Sequence, residues 1–191
     1  DTPGGSLDAT RDIVQAQLAA EVPVLVWVGP AGSRAASAGT FVTLAGHIAA
    51  MAPATNIGAA TPINADGSDI PEDLGEKVME DTLASITAIA EARGRPVDWA
   101  ISTVEKAASY TVDEALAAGA IDIKAVSIAD LLAQADGRRV VVAGEERTLA
   151  TAGAAVERLT MNPLQAFLHL LTDPNIAFIL FTLGFYGLFF E

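Results

Sequence analysis

The chain has 191 residues, a formal net charge of -13 at pH 7, 51% hydrophobic residues and no cysteine. The negative charge argues against nucleic-acid binding and against a polybasic grip on anionic lipid, because both need clustered lysine and arginine. Without cysteine the chain can hold no disulfide, no thiolate nucleophile and no cysteine-ligated metal. The length suits one good core with a small appendage.

The first third of the chain alternates between helix and strand patterns. The apolar run VPVLVWV is typical of a strand buried on both faces, and the small apolar residues that follow suit a closely packed helix. The predicted elements are a helix from Ser6 or Asp8 to about Ala20, a strand at 22–28, a loop at 29–33, a helix at 36–50 and an extended segment at 56–60.

The pattern continues through the rest of the chain. Thr111 and Glu114 have the spacing of a capping box. The further predicted elements are a polar loop at 64–73, helices at 75–93 and 97–107, a short helix from Thr111 to Gly119, a segment at 121–123 that leads into a strand, a helix at 128–134, a β-hairpin at 139–150 and an apolar helix at 161–172. Alternating strands and helices predict a layered α/β fold.

The two ends of the chain predict a membrane segment and a truncation. Residues 174–190 carry no charge, and their length meets the lower limit for a spanning helix, so we expect a transmembrane helix there. The alternative is a buried C-terminal helix. The apolar helix before it is expected in the membrane interface or packed on the globular domain. The opening DTPGG has neither an initiator Met nor a signal-peptide pattern, and we expect the first strands to be missing.

Ser37 is the candidate nucleophile. It follows a predicted strand and loop and precedes an apolar helix, so its Oγ would be exposed beside backbone N–H groups at the positive end of the helix dipole. An acyl-transfer site needs such oriented donors for the oxyanion. The N–H of Ala38 is one natural donor, and the Gly4-Gly5 turn could supply the second.

Lysine is the better candidate for the base. His47 is predicted deep in the helix, too far from Ser37 for direct contact, and is expected to be a packed or capping histidine; His169 is expected near the membrane. A lysine in an apolar site, or near a helix N-terminus, loses proton affinity. Lys77 fits this best, ahead of Lys106 and Lys124, and a solvated surface lysine is the alternative.

Other chemistries find little support in the motifs. The sequence has no phosphate-binding loop, no dinucleotide fingerprint and no metal-ligand cluster, so we expect no cofactor and no metal. The acidic residues Asp66, Asp69, Glu72 and Asp73 do not have calcium-loop spacing and are expected to be solvated.

Five segments in order carry a family resemblance. They are DTPGG, GPAGSRAASAGTF with HIAAMAP and NIGAATP, GEKVMED, IAEARGRPVDWA with YTVDEALAAGAID, and LLTDPNIAFILFTLGFYGLFFE. Together they resemble the Clp-protease-like serine protease domain of the NfeD family, the membrane-bound proteases encoded beside stomatin-like proteins. The resemblance covers almost the whole chain.

The resemblance implies a fold and a set of roles. The fold is the Clp-protease or crotonase-like spiral α/β fold, with a C-terminal transmembrane helix. Ser37 of the SAGT motif would be the nucleophile and Lys77 of GEKVMED the base, with the backbone N–H groups of Gly5 and Ala38 as oxyanion donors. Partners would be an apolar peptide or protein substrate, a stomatin-like membrane protein, the membrane and further copies of the chain in a dimer or larger homo-oligomer.

These inferences predict a membrane-anchored serine endopeptidase with a Ser-Lys dyad. Its expected domains are a protease domain at 1–126, a helix and hairpin extension at 127–160, and interfacial and transmembrane helices at 161–191. The protease domain is expected outside the cytoplasm. Two alternatives stay open: a non-enzymatic membrane scaffold for a stomatin-like partner, and an acyl-CoA enzyme of the crotonase fold, which would need no nucleophilic serine.

Overall fold

The structure is a computed structural model that describes residues 1–63, 72–172 and 174–190. The chain forms two compact units, residues 1–154 and 155–191. The elements of the first unit are α1 Leu7–Leu18, β1 Leu25–Val28, β2 Arg34–Ala36, α2 Ala38–Ala45, β3 Ile48–Met51, β4 Asn56–Gly58, α3 Glu72–Ala92, α4 Val97–Glu105, β5 Ser109–Thr111, α5 Val112–Ala117, β6 Ile123–Lys124, α6 Ile128–Ala135, β7 Arg139–Val142 and β8 Glu145–Thr148. The second unit contains α7 Pro163–Thr172 and α8 Pro174–Phe190.

The strands form two small sheets and a hairpin. The first sheet has the order β1-β3-β6 and is parallel throughout. In the second sheet, β2 and β4 are parallel and β5 is antiparallel to β4. Strands β7 and β8 form the predicted antiparallel hairpin. This arrangement confirms the predicted mixed α/β architecture.

The core lies on both sides of the first sheet. All four residues of β3 are buried, since this strand lies between β1 and β6 and is covered on both faces. One apolar cluster joins α1, α2, α3 and α4, and includes Val14, Phe41 and Ile86. A second cluster packs β3 and β4 against α5, and a third packs β3 and β6 against α6 and the hairpin.

The predicted helix at 36–50 is wrong in its second half. The helix ends at Ala45, Gly46 adopts an extended conformation, and residues 48–51 form β3. A Cβ at Gly46 would lie 2.8 Å from Val26 Cγ2 and 3.0 Å from Ile48 O, so the close packing there needs a glycine. A short buried apolar run has no periodicity that separates helix from strand, which explains the error.

The predicted N-caps of α1 and α5 are both confirmed. The Ser6 side chain accepts a hydrogen bond from Ala9 N at the start of α1. The predicted capping box at α5 is confirmed in both directions: Thr111 Oγ1 accepts from Glu114 N, and Glu114 accepts from Thr111 N. These bonds satisfy donors that a helix start leaves without an intrahelical partner.

The second unit consists of two apolar helices. In α8, the four consecutive residues 178–181 are between 47% and 72% exposed, so this turn has no buried side. The helix has 17 residues, and no helix in the described ranges is long and apolar enough to cross a membrane. The predicted transmembrane helix is therefore not shown. Most of the predicted polar loop, residues 64–71, lies outside the described residues.

Candidate active site

Ser37 sits on a sharp turn between strand and helix. Strand β2 ends at Ala36 and α2 begins at Ala38, so Ser37 is the residue between them. Its backbone has φ 52° and ψ -117°, a region that L residues rarely adopt. Such a strained turn is the arrangement by which α/β hydrolases expose a nucleophilic serine. The side chain makes no capping hydrogen bond to α2, which leaves the Oγ available for other chemistry.

Hydrogen bonds to Gly58 and Ala35 hold this turn in place. The Ser37 N–H donates to Gly58 O at 3.0 Å. The Thr40 hydroxyl, completely buried, lies 3.0 Å from Ala35 O and 3.1 Å from Gly58 O and bridges the two carbonyls. Two adjacent strands of the second sheet thus support the serine, because Gly58 belongs to β4 and Ala35 to β2.

Two glycines permit this close packing. A Cβ at Gly58 would lie 2.1 Å from Ala108 O, and its φ of 131° is one that side chains disfavour. A Cβ at Gly39 would lie 3.0 Å from Thr2 O, since the N-terminal segment crosses the first turn of α2 there. The SAGT motif therefore has a structural role at each of its last two positions, Gly39 and Thr40, beside the serine.

The N-terminal Gly-Gly turn lies next to Ser37 and Ala38. Thr2 forms a parallel bridge with Ala35, with Thr2 N donating to Arg34 O at 2.8 Å. A Cβ at Gly4 would be 3.8 Å from Ser37 Cβ, and one at Gly5 would be 3.4 Å from Ala38 Cβ. The bridge to β2 thus brings the predicted donor segment to the serine, as an oxyanion site requires.

A cavity of about 480 Å³ opens beside the serine. Ser37, Ala38 and Gly5 lie on its wall, and α1 and α3 contribute further lining residues. Its apolar lining includes Leu7, Val14, Leu18, Phe41, Ala60 and Pro62. The size and the apolar character are those of a ligand-binding pocket with a mainly apolar occupant.

Lys77 is not one of the residues that line this cavity. It lies near the start of α3 and its side chain is exposed. Asp81 and Ser85 do line the cavity. Residues four apart in a helix share a face, with about 5–6 Å between Cβ atoms, so Lys77 lies one turn beyond Asp81 on the cavity side of α3. The structure thus brings Ser37, Ala38 and Gly5 together on the cavity wall and does not place Lys77 among the lining residues.

His47 is a packed histidine, as expected, but it lies after α2 and not within it. Its Nδ1 accepts a hydrogen bond from Val24 N at 3.1 Å. Burial lowers the pKa of His47 below its ordinary value of 6.5, and the charge of Arg93 lowers it further. The eight residues of α2 separate it from Ser37 by about 12 Å along the helix axis, so it does not serve as the base.

Comparison with a family model decides where the chain belongs. The model of the NfeD1b N-terminal domain matches residues 1–136. The chain belongs to the NfeD1b family. The matched range contains the strained serine, the Gly4-Gly5 turn and the whole of α3.

Relatives of this NfeD1b chain include a named protease and proteins with solved structures. Membrane-bound protease PH1510 of Pyrococcus horikoshii is 37% identical over 98% of this chain, and the match spans 43% of that protein. A solved lysine-to-alanine mutant of the 1510-N membrane-bound stomatin-specific protease, in complex with a substrate peptide, has 34% identity and a TM-score of 0.80, covering 91% of this chain and 80% of that one. A serine-to-alanine mutant of the same protease has 34% identity and a TM-score of 0.72, covering 85% and 79%.

Three features of the site were not predicted from the sequence. The roles of Gly39 and Thr40 could have been suspected from the SAGT motif, since small and hydroxyl residues follow the serine directly. Gly58 could not, because its neighbour Ala108 is far away in sequence. The third feature is an ion pair between Arg11 and Asp81 at the cavity. Nothing in the sequence links two residues 70 positions apart.

Proposed function

We propose that this chain is the protease core of a membrane-associated serine endopeptidase, with Ser37 as nucleophile and Lys77 as general base. The observation that carries the proposal is the strained backbone of Ser37 beside an apolar cavity. A serine forced into this conformation costs free energy of order 1–3 kcal/mol, and such strain is concentrated at functional sites. A capping or packing serine would need no such backbone.

The reaction starts with the unprotonated amine of Lys77, which takes the proton from Ser37 Oγ as the oxygen attacks the peptide carbonyl carbon. The N–H groups of Gly5 and Ala38 hold the oxyanion. The intermediate then breaks its C–N bond, and the leaving amine takes the proton from Lys77. Water attacks the resulting ester, Lys77 accepts the proton of the water, and Ser37 Oγ leaves and is reprotonated.

The spacing of the two residues supports Lys77. In the related protease, the serine and the lysine that were replaced by alanine are 41 positions apart, and Ser37 and Lys77 are 40 apart. Lys77 also lies on the face of α3 that reaches the cavity through Asp81 and Ser85. In the active complex we expect the first turns of α3 to bring the amine to Ser37, since catalytic contacts often tighten only with substrate bound.

The substrate is proposed to be an apolar peptide segment, since the cavity wall beside Ser37 is largely apolar. The relative is named a stomatin-specific protease, so a stomatin-like protein is the proposed partner. The proposal has three further parts. They are assembly into a dimer or larger homo-oligomer, an extracytoplasmic protease domain, and the Clp-protease or crotonase-like spiral fold. This chain spans less than half the length of the named relative, so the activity of the whole protein is also part of the proposal.

Membrane association is proposed to come from α7 and α8. Large apolar side chains are exposed along both helices, with Phe181 at 72% and Phe189 at 75%. A contiguous apolar surface of this kind marks a membrane or protein interaction site. The relative is named membrane-bound, which favours the membrane.

Cleavage of an apolar peptide by purified variants tests the proposal. Ser37→Ala and Lys77→Ala should each lose cleavage by a factor of about 10³ or more, since the nucleophile and base act as a unit. Lys106→Ala is the matched control, because this lysine is also exposed but lies at the end of α4. Full activity in Ser37→Ala or Lys77→Ala would reject the dyad, and equal inactivity of all four proteins would favour the scaffold alternative.

A further inference from the structure

An ion pair joins α1 and α3 at the cavity. The guanidinium of Arg11 contacts the carboxylate of Asp81, and both residues line the cavity wall. Arg11 lies in the middle of α1, between the cavity-lining residues Thr10 and Val14. The contact therefore joins two helices on one side of the site that holds Ser37.

The start of α3 packs less deeply than the rest of the helix. From Leu74 to Asp81, every side chain is exposed or half-buried. The half-buried Met79 packs against the core cluster, the first buried residue is Thr82, and Ile86 and Ile89 lie within the cluster. The turn that carries Lys77 precedes these contacts and lies at the edge of the packed part of the helix.

The ion pair is too exposed to contribute much to global stability. The side chains of Arg11 and Asp81 are 56% and 61% exposed. Measured exposed pairs contribute little to folding, because water and salt screen them. The effect of the ion pair on the position of the first turns of α3 is a separate matter. A small restraint is enough to bias a segment that makes few buried contacts.

We propose that Arg11 and Asp81 form a clasp that holds the first turns of α3, and with them Lys77, against the cavity. Asp81 follows Lys77 by one helical turn on the same face, so fixing Asp81 fixes the approach of the lysine. Both are positioning residues, and neither takes or gives a proton in the reaction. This inference rests on the proposed function for its catalytic consequence, but the structural restraint can be measured without any activity.

Hydrogen exchange over residues 74–81, measured by mass spectrometry on the full chain, tests the restraint. Arg11→Gln should speed exchange there by about two- to fivefold, the scale of an exposed ion pair. The charge swap, Arg11→Asp with Asp81→Arg, should restore the wild-type rate. Arg139→Gln is the matched control, since Arg139 pairs with Glu146 at similar exposure, 72% and 61%, in the hairpin. Unchanged exchange in Arg11→Gln overturns the clasp.

Peptide cleavage tests the catalytic consequence. Arg11→Gln should lower kcat by roughly fivefold to tenfold and leave KM within about twofold, because misplacing a catalytic group affects the chemical step more than binding. The charge swap should recover most of kcat. A loss that appears in KM alone, or that the swap fails to recover, contradicts positioning and indicates direct substrate contact. If hydrogen exchange over residues 74–81 responds to Arg11→Gln as expected but the wild-type chain cleaves no peptide, the proposed function is rejected and the structural restraint by the clasp is supported.

Discussion

Ser37 is held in a strained conformation by neighbours that have no chemical role. Its φ of 52° would relax in an isolated chain, so the surroundings must impose it. Thr40 does this with a hydroxyl proton shared between carbonyls of two adjacent strands, and Gly58 provides one of those carbonyls while accepting from Ser37 N as well. The geometry of the nucleophile is thus set by buried polar contacts.

Replacing Thr40 by valine should harm activity more than stability alone explains. Thr40→Val keeps the shape but leaves Ala35 O without its hydroxyl partner, which should cost about 1–3 kcal/mol of unfolding free energy. Urea denaturation measures this loss. Cleavage should fall at least about tenfold at a temperature where the variant is folded, because the serine turn loosens.

Thr43→Val is the control for that experiment. Thr43 is also buried in α2, and its hydroxyl donates to Gly39 O at 2.7 Å within the helix. Thr43→Val should lose about as much unfolding free energy as Thr40→Val and keep most of its cleavage activity. Equal losses of cleavage in the two variants would show that Thr40 has no special role at the serine.

At the scale of elements, a buried arginine ties the end of α2 to the segment before β6. The guanidinium of Arg95 is 3% exposed and donates to Leu44 O, Gly46 O and Ala120 O, and to the carboxylate of Asp122. The same carboxylate accepts from Ala49 N at 2.7 Å in β3. A buried charge is tolerated here because each nitrogen of the guanidinium donates to an acceptor.

Arg95→Gln should therefore destabilise the fold by about 3–5 kcal/mol, the usual cost of breaking a buried pair from one side. Urea denaturation measures the change in unfolding free energy. Arg138→Gln is the control, since Arg138 is exposed and donates to Gln134 O, and it should change stability by less than about 0.5 kcal/mol. A loss at Arg95 no larger than the control's would mean that the interaction network contributes little.

The elements also show what the sequence could and could not predict. Caps such as Ser6 and the Thr111–Glu114 box were predictable because their signals lie within four residues. Strand β3 was not, since Ile48–Met51 becomes a strand only by pairing with β1 and β6. The site divides in the same way. Ser37 has a local signal, whereas the contacts of Arg11 and Gly58 depend on tertiary packing.

At the scale of the molecule, the exposed apolar helices of the second unit should carry membrane binding. Phe178→Glu with Phe181→Glu places two charges on α8 and should reduce flotation with neutral phosphatidylcholine vesicles about tenfold or more, because charges are costly in hydrocarbon. Val141→Glu is the control, at 60% exposure on the hairpin. Undiminished flotation of the double variant would assign the helices to a protein partner.

The most direct measurement is the site and rate of phosphonylation by an apolar peptidyl fluorophosphonate, which loses fluoride as the serine oxygen bonds to phosphorus, followed by intact mass and peptide mapping. The account predicts one adduct, located on Ser37, and a rate of formation that falls by about 10² or more in Lys77→Ala but stays unchanged in Lys106→Ala. An adduct on another residue, or an unchanged rate in Lys77→Ala, would contradict the Ser37–Lys77 dyad.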